Sequence, residues 1–414
     1  MKIIKAEELT LEFFNNSEME SIESVREIIR VVKEKGDSAI KDYTLKFDKI
    51  EINSFQLTKN NIQEAYLKID SETIEALKSA ANNIRRFAEN QMKDLKDFEV
   101  NENGVILGQR IVPIEKIGCY VPGGRYPLPS TALMTIIPAK VAGAKEIIVC
   151  SPKINPVTVV AADIAGADKI FSIGGVQAIA GMAYGTESIP KVDKIVGPGN
   201  QYVAAAKKEV YGTVGIDFIA GPSEVFVIAD ETGNPKFIAA DLLAQAEHDP
   251  TARAEVVTTS EKLAKEIVVE IEKQLNTLKT KDVAELSIKN NGAIIIVKNI
   301  SEAVELANKR APEHLELQIR NPDAIIPRLK NYGSLFIGEY SAEVFGDYCS
   351  GPNHTLPTNG CARYTGGLSV KEYVKVLTYQ KVTKEASSEL IRVASKLAEV
   401  EGLYGHKNAA DIRK

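Results

Sequence analysis

The sequence predicts an α/β protein with two Rossmann-like parallel-sheet domains, which lack the usual glycine fingerprint, plus small helical segments at both termini. Two observations support this fold class. Short apolar strands alternate with helices through the middle of the chain, an order that is typical of parallel sheets. Glycine-rich turns follow several of these strands, and parallel sheets bind their ligands at the carboxyl ends of the strands. The Gly-x-Gly-x-x-Gly fingerprint of dinucleotide-binding domains is absent.

The first hundred residues read as helical. Apolar residues recur at helical spacing over 25–35 and 71–91, and Gly36 ends the first of these stretches with a typical stop signal. Short strands are expected at 111–112 and 117–121. The elements expected after them are a strand at 146–150, a helix at 156–165, a strand at 169–173, a helix at 177–184, a strand at 194–196 and a helix at 202–211.

The alternation continues in the second half of the chain. A helix is expected from Asn234-Pro235, a typical helix start, to Glu247. Further strands are expected at 224–229, 254–258, 292–297 and 334–337, and helix from 369 onward. We expect the early helices to pack on the 224–368 unit. The predicted domains are an N-terminal segment (1–13), a discontinuous first α/β domain (14–119 and 224–368), a second α/β domain (120–223) and a C-terminal helical domain (369–414).

The composition is that of a globular, multidomain protein. Its 414 residues exceed one ordinary core, and hydrophobic and charged residues make up 44% and 26% of them. The formal net charge of -5 gives no sign of a nucleic-acid-binding surface. No apolar run approaches the roughly 18–20 residues of a membrane span, and no signal peptide is recognisable, so we expect a cytoplasmic protein. Four cysteines make no disulfide framework, and Cys150 is expected to be a buried hydrophobic residue.

Four histidines are the main candidates for chemistry: His248, His314, His354 and His406. His248 follows Gln245 by three residues on the expected helix, so the two side chains share one face and could supply two ligands to a divalent metal ion. The alternative is a histidine that interacts favourably with the dipole at a helix C-terminus.

The other three histidines also have two interpretations each. His314 adjoins Glu313, which offers two bases of different pKa, but the pair could also be a solvated helix start. His354 lies in a loop over 346–358 that includes Asp347, a possible carboxylate ligand, and this loop could equally be a plain surface turn. His406 follows two glycines and could belong to a frayed tail. The residues alone predict an α/β metalloenzyme whose reaction stays open.

Glycine turns at 174–177, 197–200 and 221–224 are candidates for close backbone approach to a ligand. At these turns and at the histidines, the sequence resembles the histidinol dehydrogenase family, whose members carry out the last two oxidations of histidine biosynthesis. The resemblance extends from Gly36 to about Asn408. The segments that carry it are 120–124, 174–200, 220–225, 243–248, 312–315, 346–348, 353–354 and 401–406.

The resemblance implies specific roles for residues of this chain. His314 would be the base in the oxidation of the alcohol of L-histidinol, and Glu313 would activate the water that attacks the aldehyde. The implied ligands of one zinc ion are Gln245, His248, Asp347 and His406. The implied substrate contacts are Ser223 and Glu401 together with Gln245, His248, His314, Asp347 and His406. Those implied for NAD are Tyr120, Gln177 and Asn200, in the second α/β domain.

The family forms homodimers, so the resemblance also implies that Glu401 and His406 complete the active site of the neighbouring subunit. It gives His354 no role beyond support of the site. Departures from the family pattern are mild: Thr355 replaces a bulkier apolar residue, and Gly366-Gly367 lies where serine is frequent. Three alternatives are a relative that oxidises another alcohol, a zinc hydrolase without nicotinamide, and a non-catalytic binding protein. The presence of Ser223, Glu313 and Glu401 favours histidinol.

Overall fold

The computed structural model describes residues 1–14, 22–124, 126–219 and 221–414. The N-terminal part contains one short strand, a series of helices and a β-hairpin. The polar residue Asp70 caps the longest of these helices by accepting a hydrogen bond from the backbone N–H of Thr73. The elements are β1 (Lys2–Lys5), α1 (Glu23–Lys35), α2 (Asp37–Asp48), α3 (Lys59–Tyr66), α4 (Ser71–Lys93), β2 (Phe98–Glu102) and β3 (Val105–Pro113).

The next segment alternates strands and helices and forms a parallel sheet, here called the first sheet. Its strand order is β6-β5-β4-β7-β8, which in chain order is 3-2-1-4-5, as in Rossmann-type domains. The elements are β4 (Lys116–Tyr120), α5 (Pro129–Ala142), β5 (Glu146–Cys150), α6 (Pro156–Ala165), β6 (Lys169–Phe171), α7 (Gly175–Tyr184), β7 (Lys194–Val196), α8 (Gln201–Val210) and β8 (Gly215–Ile216).

The following segment forms the second sheet, which is also parallel. Its order is β1-β11-β10-β9-β12-β13, so the same 3-2-1-4-5 pattern recurs with β1 added at one edge. The prediction of two Rossmann-like parallel sheets is therefore confirmed. The elements are β9 (Glu224–Ala229), α9 (Pro235–Ala246), β10 (Arg253–Thr258), α10 (Glu261–Leu275), α11 (Lys281–Asn291), β11 (Ala293–Ile296), α12 (Ile300–Arg310), β12 (His314–Gln318), β13 (Ser334–Ile337) and α13 (Glu343–Tyr348).

The early helices pack on the first sheet, so the expectation that they pack on the 224–368 unit was wrong. Ile84 of α4 shares a buried apolar cluster with Ile137 of α5, and Val25 of α1 shares another with Ile179 of α7. Helical periodicity identifies the buried face of a helix, but it carries no information about which distant residues cover that face.

The C-terminal segment begins with a strand rather than a helix. It consists of β14 (Val374–Val382), α14 (Lys384–Val400) and α15 (Tyr404–Asp411). Strand β14 pairs antiparallel with β3, which also pairs with β2. The expectation of an all-helical segment from 369 was therefore wrong at β14, whose partner strand is far away in sequence.

None of the helices in the described residues combines the length and apolar character that a membrane crossing requires.

Candidate active site

A cleft of about 210 Å³ lies between the two parallel sheets. One wall comes from the carboxyl edge of the first sheet, through Pro122 after β4 and Pro198 after β7. The other comes from the amino edge of the second sheet, through Ser223 before β9 and His314 at the start of β12. The cleft thus lies at the carboxyl ends of the strands, where ligands were expected, in the first sheet but at the amino ends in the second.

Glu313 and His314 are both buried, and the backbone of Glu224 contacts both side chains. The backbone N–H of Glu224 donates to Glu313 Oε2 at 2.9 Å. His314 Nδ1 lies 3.2 Å from the carbonyl oxygen of Glu224, which can only accept, so Nδ1 carries the proton. The interpretation of the pair as a solvated helix start was wrong, because His314 begins a central strand.

Asp347 reaches the same edge from α13, which crosses back from the far end of β13. Its Oδ1 lies 3.2 Å from His314 Nε2. Burial alone lowers the pKa of His314, but the carboxylates of Glu313 and Asp347 outweigh it and raise this pKa well above its usual range. The stretch 346–358 was expected to be a loop throughout, but its first residues belong to α13.

Burial raises the pKa of Glu313 to about 8, although His314 and the Glu224 amide favour its charged form. A carboxyl group with a pKa in this range takes up and releases a proton near neutral pH, which is the property of a general base. The two adjacent side chains therefore differ in protonation: the imidazole favours its protonated form, while Glu313 changes its charge within the physiological range.

Gln245 and His248 contribute to the cleft from the end of α9. The Gln245 amide is buried, with its oxygen accepting from the Glu224 N–H at 2.9 Å and its nitrogen donating to Glu343 Oε1 at 3.3 Å. His248 is exposed towards the cleft. An imidazole nitrogen, the Asp347 carboxylate and an amide oxygen form a mixed donor set that suits a borderline divalent ion such as zinc.

This donor set is incomplete within one chain. In the described ranges, no three His, Cys, Asp or Glu side chains come together as a metal-type cluster. His406, the fourth residue of the predicted set, is exposed on α15, and Glu401 is exposed at the end of α14. Among the described residues that line the cleft, neither of these two is present. The structure thus brings three predicted ligands to one cleft and leaves the C-terminal pair elsewhere.

His354 connects the two walls of the cleft. Its Nδ1 lies 2.8 Å from the Asp347 carbonyl oxygen and must donate to it. Burial lowers the pKa of His354, so the ring is neutral and its Nε2 accepts a hydrogen bond from the Thr131 hydroxyl at 3.1 Å. His354 therefore ties α5 to the end of α13, which is compatible with support of the site.

The three residues predicted for NAD each lie at the carboxyl edge of the first sheet. The Tyr120 hydroxyl accepts a hydrogen bond from the Gly175 N–H at 3.0 Å. Gln177 is buried in the first turns of α7. The Asn200 side chain caps α8 by accepting from the N–H groups of Tyr202 and Val203. Their contact with a cofactor stays a prediction.

Comparison with known proteins gives the family of the chain. The sequence pattern of the family described as histidinol dehydrogenase matches residues 14–414. This chain belongs to the histidinol dehydrogenase family. The match covers the cleft, the C-terminal segment and both parallel sheets except for the edge strand β1.

Individual relatives agree with this assignment. The chain is 50% identical to the histidinol dehydrogenase of Methanocaldococcus jannaschii, covering 100% of this chain and 97% of that protein. It is 51% identical to that of Bacillus cereus, covering 94% and 92%. The crystal structure of histidinol dehydrogenase from Elizabethkingia anophelis superimposes with a TM-score of 0.94 at 39% identity, covering 100% of this chain and 98% of that one.

The sequence interpretation missed the residues beneath the Glu313–His314 pair. Glu224 is buried, its Oε1 accepts from the backbone N–H of Asn359 at 2.7 Å, and its Oε2 lies 3.9 Å from Arg310 Nε. The guanidinium of Arg310 also contacts Glu255 Oε1 at 2.5 Å and donates to the Phe13 carbonyl at 3.0 Å. One signal was available: Glu224 and Glu255 are charged residues within otherwise apolar strands.

Replacing Arg310 by Met should lower the free energy of unfolding by about 3–5 kcal/mol, because it leaves two buried carboxyl groups without their cation. Activity should also fall, since Glu224 loses the contact with Arg310 that supports it. Denaturant titration of the wild-type protein and the Arg310 variant measures the change in the free energy of unfolding. Arg320→Met is the matched control, because the Arg320–Glu231 pair (3.1 Å) is exposed and should contribute less than about 1 kcal/mol. Equal stability of the Arg310 variant and the wild-type protein would contradict this account.

Proposed function

We propose that this protein oxidises L-histidinol through L-histidinal to L-histidine in two NAD-linked steps. The observation that carries this proposal is the buried Glu313–His314 pair, which the backbone of Glu224 holds in place. The same cleft is lined by Gln245, His248 and Asp347. Two adjacent groups with separate protonation behaviour suit a reaction with two unlike proton transfers. Membership of the histidinol dehydrogenase family names the substrate that fits this arrangement.

Two bound groups complete the proposed site. Gln245, His248 and Asp347, with His406 of a second subunit, would hold a zinc ion that binds the imidazole and amino nitrogens of L-histidinol and orients its alcohol carbon. NAD, bound near Tyr120, Gln177 and Asn200, would accept a hydride in each of the two oxidations.

His314 is the base for the alcohol step. The ring acts as a base from its deprotonated form: Nδ1–H stays bound to the Glu224 carbonyl, and Nε2 presents the lone pair that takes the alcohol proton. The imidazolium that results then donates from Nε2 to Asp347 Oδ1, 3.2 Å away. The carboxylates that raise the pKa of His314 make this proton transfer favourable.

Glu313 is the base for the aldehyde step, in which water adds to the carbonyl carbon. Its carboxylate takes one proton from the attacking water. The Glu224 N–H holds Oε2 at 2.9 Å, which fixes the carboxylate and stabilises its charged form. Because the two bases are adjacent, the substrate carbon can stay in one place while the proton acceptor changes.

The proposed enzyme is a homodimer in which the C-terminal segment of one subunit completes the site of the other. Two features support this. Glu401 and His406 are exposed rather than folded into the cleft of their own chain. The same segment exposes large apolar side chains, among them Val400 (73%), Tyr404 (69%) and Leu397 (58%). An apolar surface of this kind is typical of a protein–protein contact.

The zinc-loaded protein mixed with NAD and L-histidinol should produce NADH, read as absorbance, and a chelator should abolish the signal. Two NADH should form for each histidine. L-Histidinol replaced by a simple primary alcohol is the control for substrate recognition. Absence of NADH from zinc-loaded protein would reject the dehydrogenase in favour of a zinc hydrolase or a binding protein.

Replacing Glu313 by Gln should abolish the oxidation of L-histidinal by at least about 100-fold, because the water loses its base. The first oxidation and the bound zinc should remain. In the wild-type protein the rate of the aldehyde step should rise with pH and level off above about 8, since Glu313 acts only when deprotonated. Stopped-flow NADH traces with L-histidinal measure both. An unchanged aldehyde rate in the variant would exclude Glu313 as the base.

Mixing His406→Ala with Glu313→Gln subunits, neither of which should form L-histidine alone, should restore about one quarter of the wild-type rate of L-histidine formation. Random assortment makes half of the dimers mixed, and one of the two shared sites in each is intact. The matched control is a mixture of His248→Ala with Glu313→Gln, which cannot restore a site because both residues belong to the same chain. Failure of the first mixture, with mixed dimers shown by mass spectrometry, would contradict the shared site.

A further inference from the structure

A buried ion pair lies behind the cofactor side of the cleft. It joins the ammonium group of Lys207, in α8, to the carboxylate of Asp217, just after β8. Their side chains are 3% and 0% exposed. Charges this deeply buried carry a large desolvation cost, which makes the contacts that satisfy them informative.

Both charges hold the same residue, Gly197, from opposite sides of its backbone. Lys207 Nζ donates to the Gly197 carbonyl at 2.9 Å, and the Gly197 N–H donates to Asp217 Oδ2 at 2.8 Å. Side chains on a helix lean towards its N-terminus, which explains how Lys207 reaches back to the turn that precedes α8. The ion pair thus fixes one glycine by its donor and its acceptor together.

Gly197 can be replaced by no other residue without strain. Its φ of +115° lies in the region that favours glycine, and a Cβ there would stand 2.1 Å from the carbonyl oxygen of Tyr120. The turn that starts at Gly197 is therefore pressed against the end of β4. Its position depends on the ion pair on one side and on the Tyr120 backbone on the other.

This turn, residues 197–200, forms part of the cleft. Pro198 and Gly199 line it, as does Phe218, the neighbour of Asp217. The turn ends at Asn200, one of the predicted NAD contacts and the cap of α8. Lys207 and Asp217 are absent from the described lining of the cleft, so they act on a ligand through the residues that they hold rather than by direct contact.

We propose that Lys207 and Asp217 are positioning residues that hold the 197–200 turn in the shape that binds NAD. The inference rests on the proposed function, because NAD is the ligand of this turn there. By this account, loss of the pair releases the turn and weakens NAD binding, while the substrate side of the cleft keeps its affinity.

A second ion pair, at the far end of the strand that leads to Gly197, distinguishes this positioning role from a general contribution to stability. Lys194 begins β7, at the end opposite Gly197, and its Nζ contacts Glu372 Oε2 at 2.8 Å and donates to the Glu372 carbonyl at 2.7 Å. Its side chain is 11% exposed. Lys194→Met therefore removes a largely buried lysine from the same strand without touching the turn.

The experiment compares the full-length, zinc-loaded wild-type protein with Lys207→Met/Asp217→Asn and Lys194→Met. Calorimetric titration measures the Kd of NAD and, separately, of L-histidinol, and a thermal melt gives the Tm. The double variant removes both charges together, which avoids leaving one of them buried alone. Asp217→Asn alone keeps an oxygen for the Gly197 N–H, so it tests the idea even if the double variant does not fold.

The Kd of NAD should rise about tenfold in the double variant, which loses the hydrogen bond from Lys207 to the Gly197 carbonyl. It should rise about threefold in Asp217→Asn, which keeps an acceptor for the Gly197 N–H but leaves Lys207 without its counter-charge. The Kd of L-histidinol should stay within about twofold in both variants, and Lys194→Met should leave both constants unchanged. A lowered Tm with wild-type NAD affinity would overturn the inference and leave the proposed function standing, as would equal weakening in Lys194→Met. A wild-type protein that does not bind NAD would reject the inference and the proposed cofactor together.

Discussion

The backbone of Glu224 is the constraint on which the candidate active site depends. Its N–H holds the Glu313 carboxylate and its carbonyl holds the His314 imidazole, so the backbone of one residue at the start of a central strand orients both groups. The same N–H also meets the Gln245 amide oxygen. Backbone atoms cannot rotate away as side chains do, and burial of Glu224 among Arg310 and Glu255 fixes them further.

Burial gives these groups their chemistry as well as their positions. Removal of water raises the pKa of Glu313 to about 8, while the surrounding carboxylates keep the His314 imidazole readily protonated. One pair of neighbours in the sequence therefore offers two titratable groups with different proton affinities. Glu343, beside Gln245, adds another buried carboxyl group whose pKa burial raises well above its usual range.

The two sheets face the cleft with opposite edges, so they contribute different kinds of groups to it. The first sheet presents its carboxyl edge and its glycine turns, which suit the close approach of a ligand to the backbone. The second sheet presents its amino edge, where Glu313 and His314 precede or begin a strand. His354 and the Thr131 hydroxyl join the walls, so the geometry of the site depends on the packing between the two units.

The sequence by itself determined the local elements and the chemical candidates. Strands 146–150, 194–196, 224–229 and 334–337 and the helix 156–165 have the predicted bounds, because apolar periodicity and glycine or proline signals act over a few residues. The Glu313–His314 and Gln245–His248 pairs were recognisable from their spacing and from the resemblance to the family.

Only the tertiary structure decided which edge of the second sheet faces the cleft, which unit covers the early helices, and that β14 pairs with β3. It alone revealed the contacts of Glu224 and Arg310 beneath the Glu313–His314 pair. The physical reason is common to all of these. Burial, pairing and charge compensation are set by contacts between residues that are distant in the chain, and no local pattern records them.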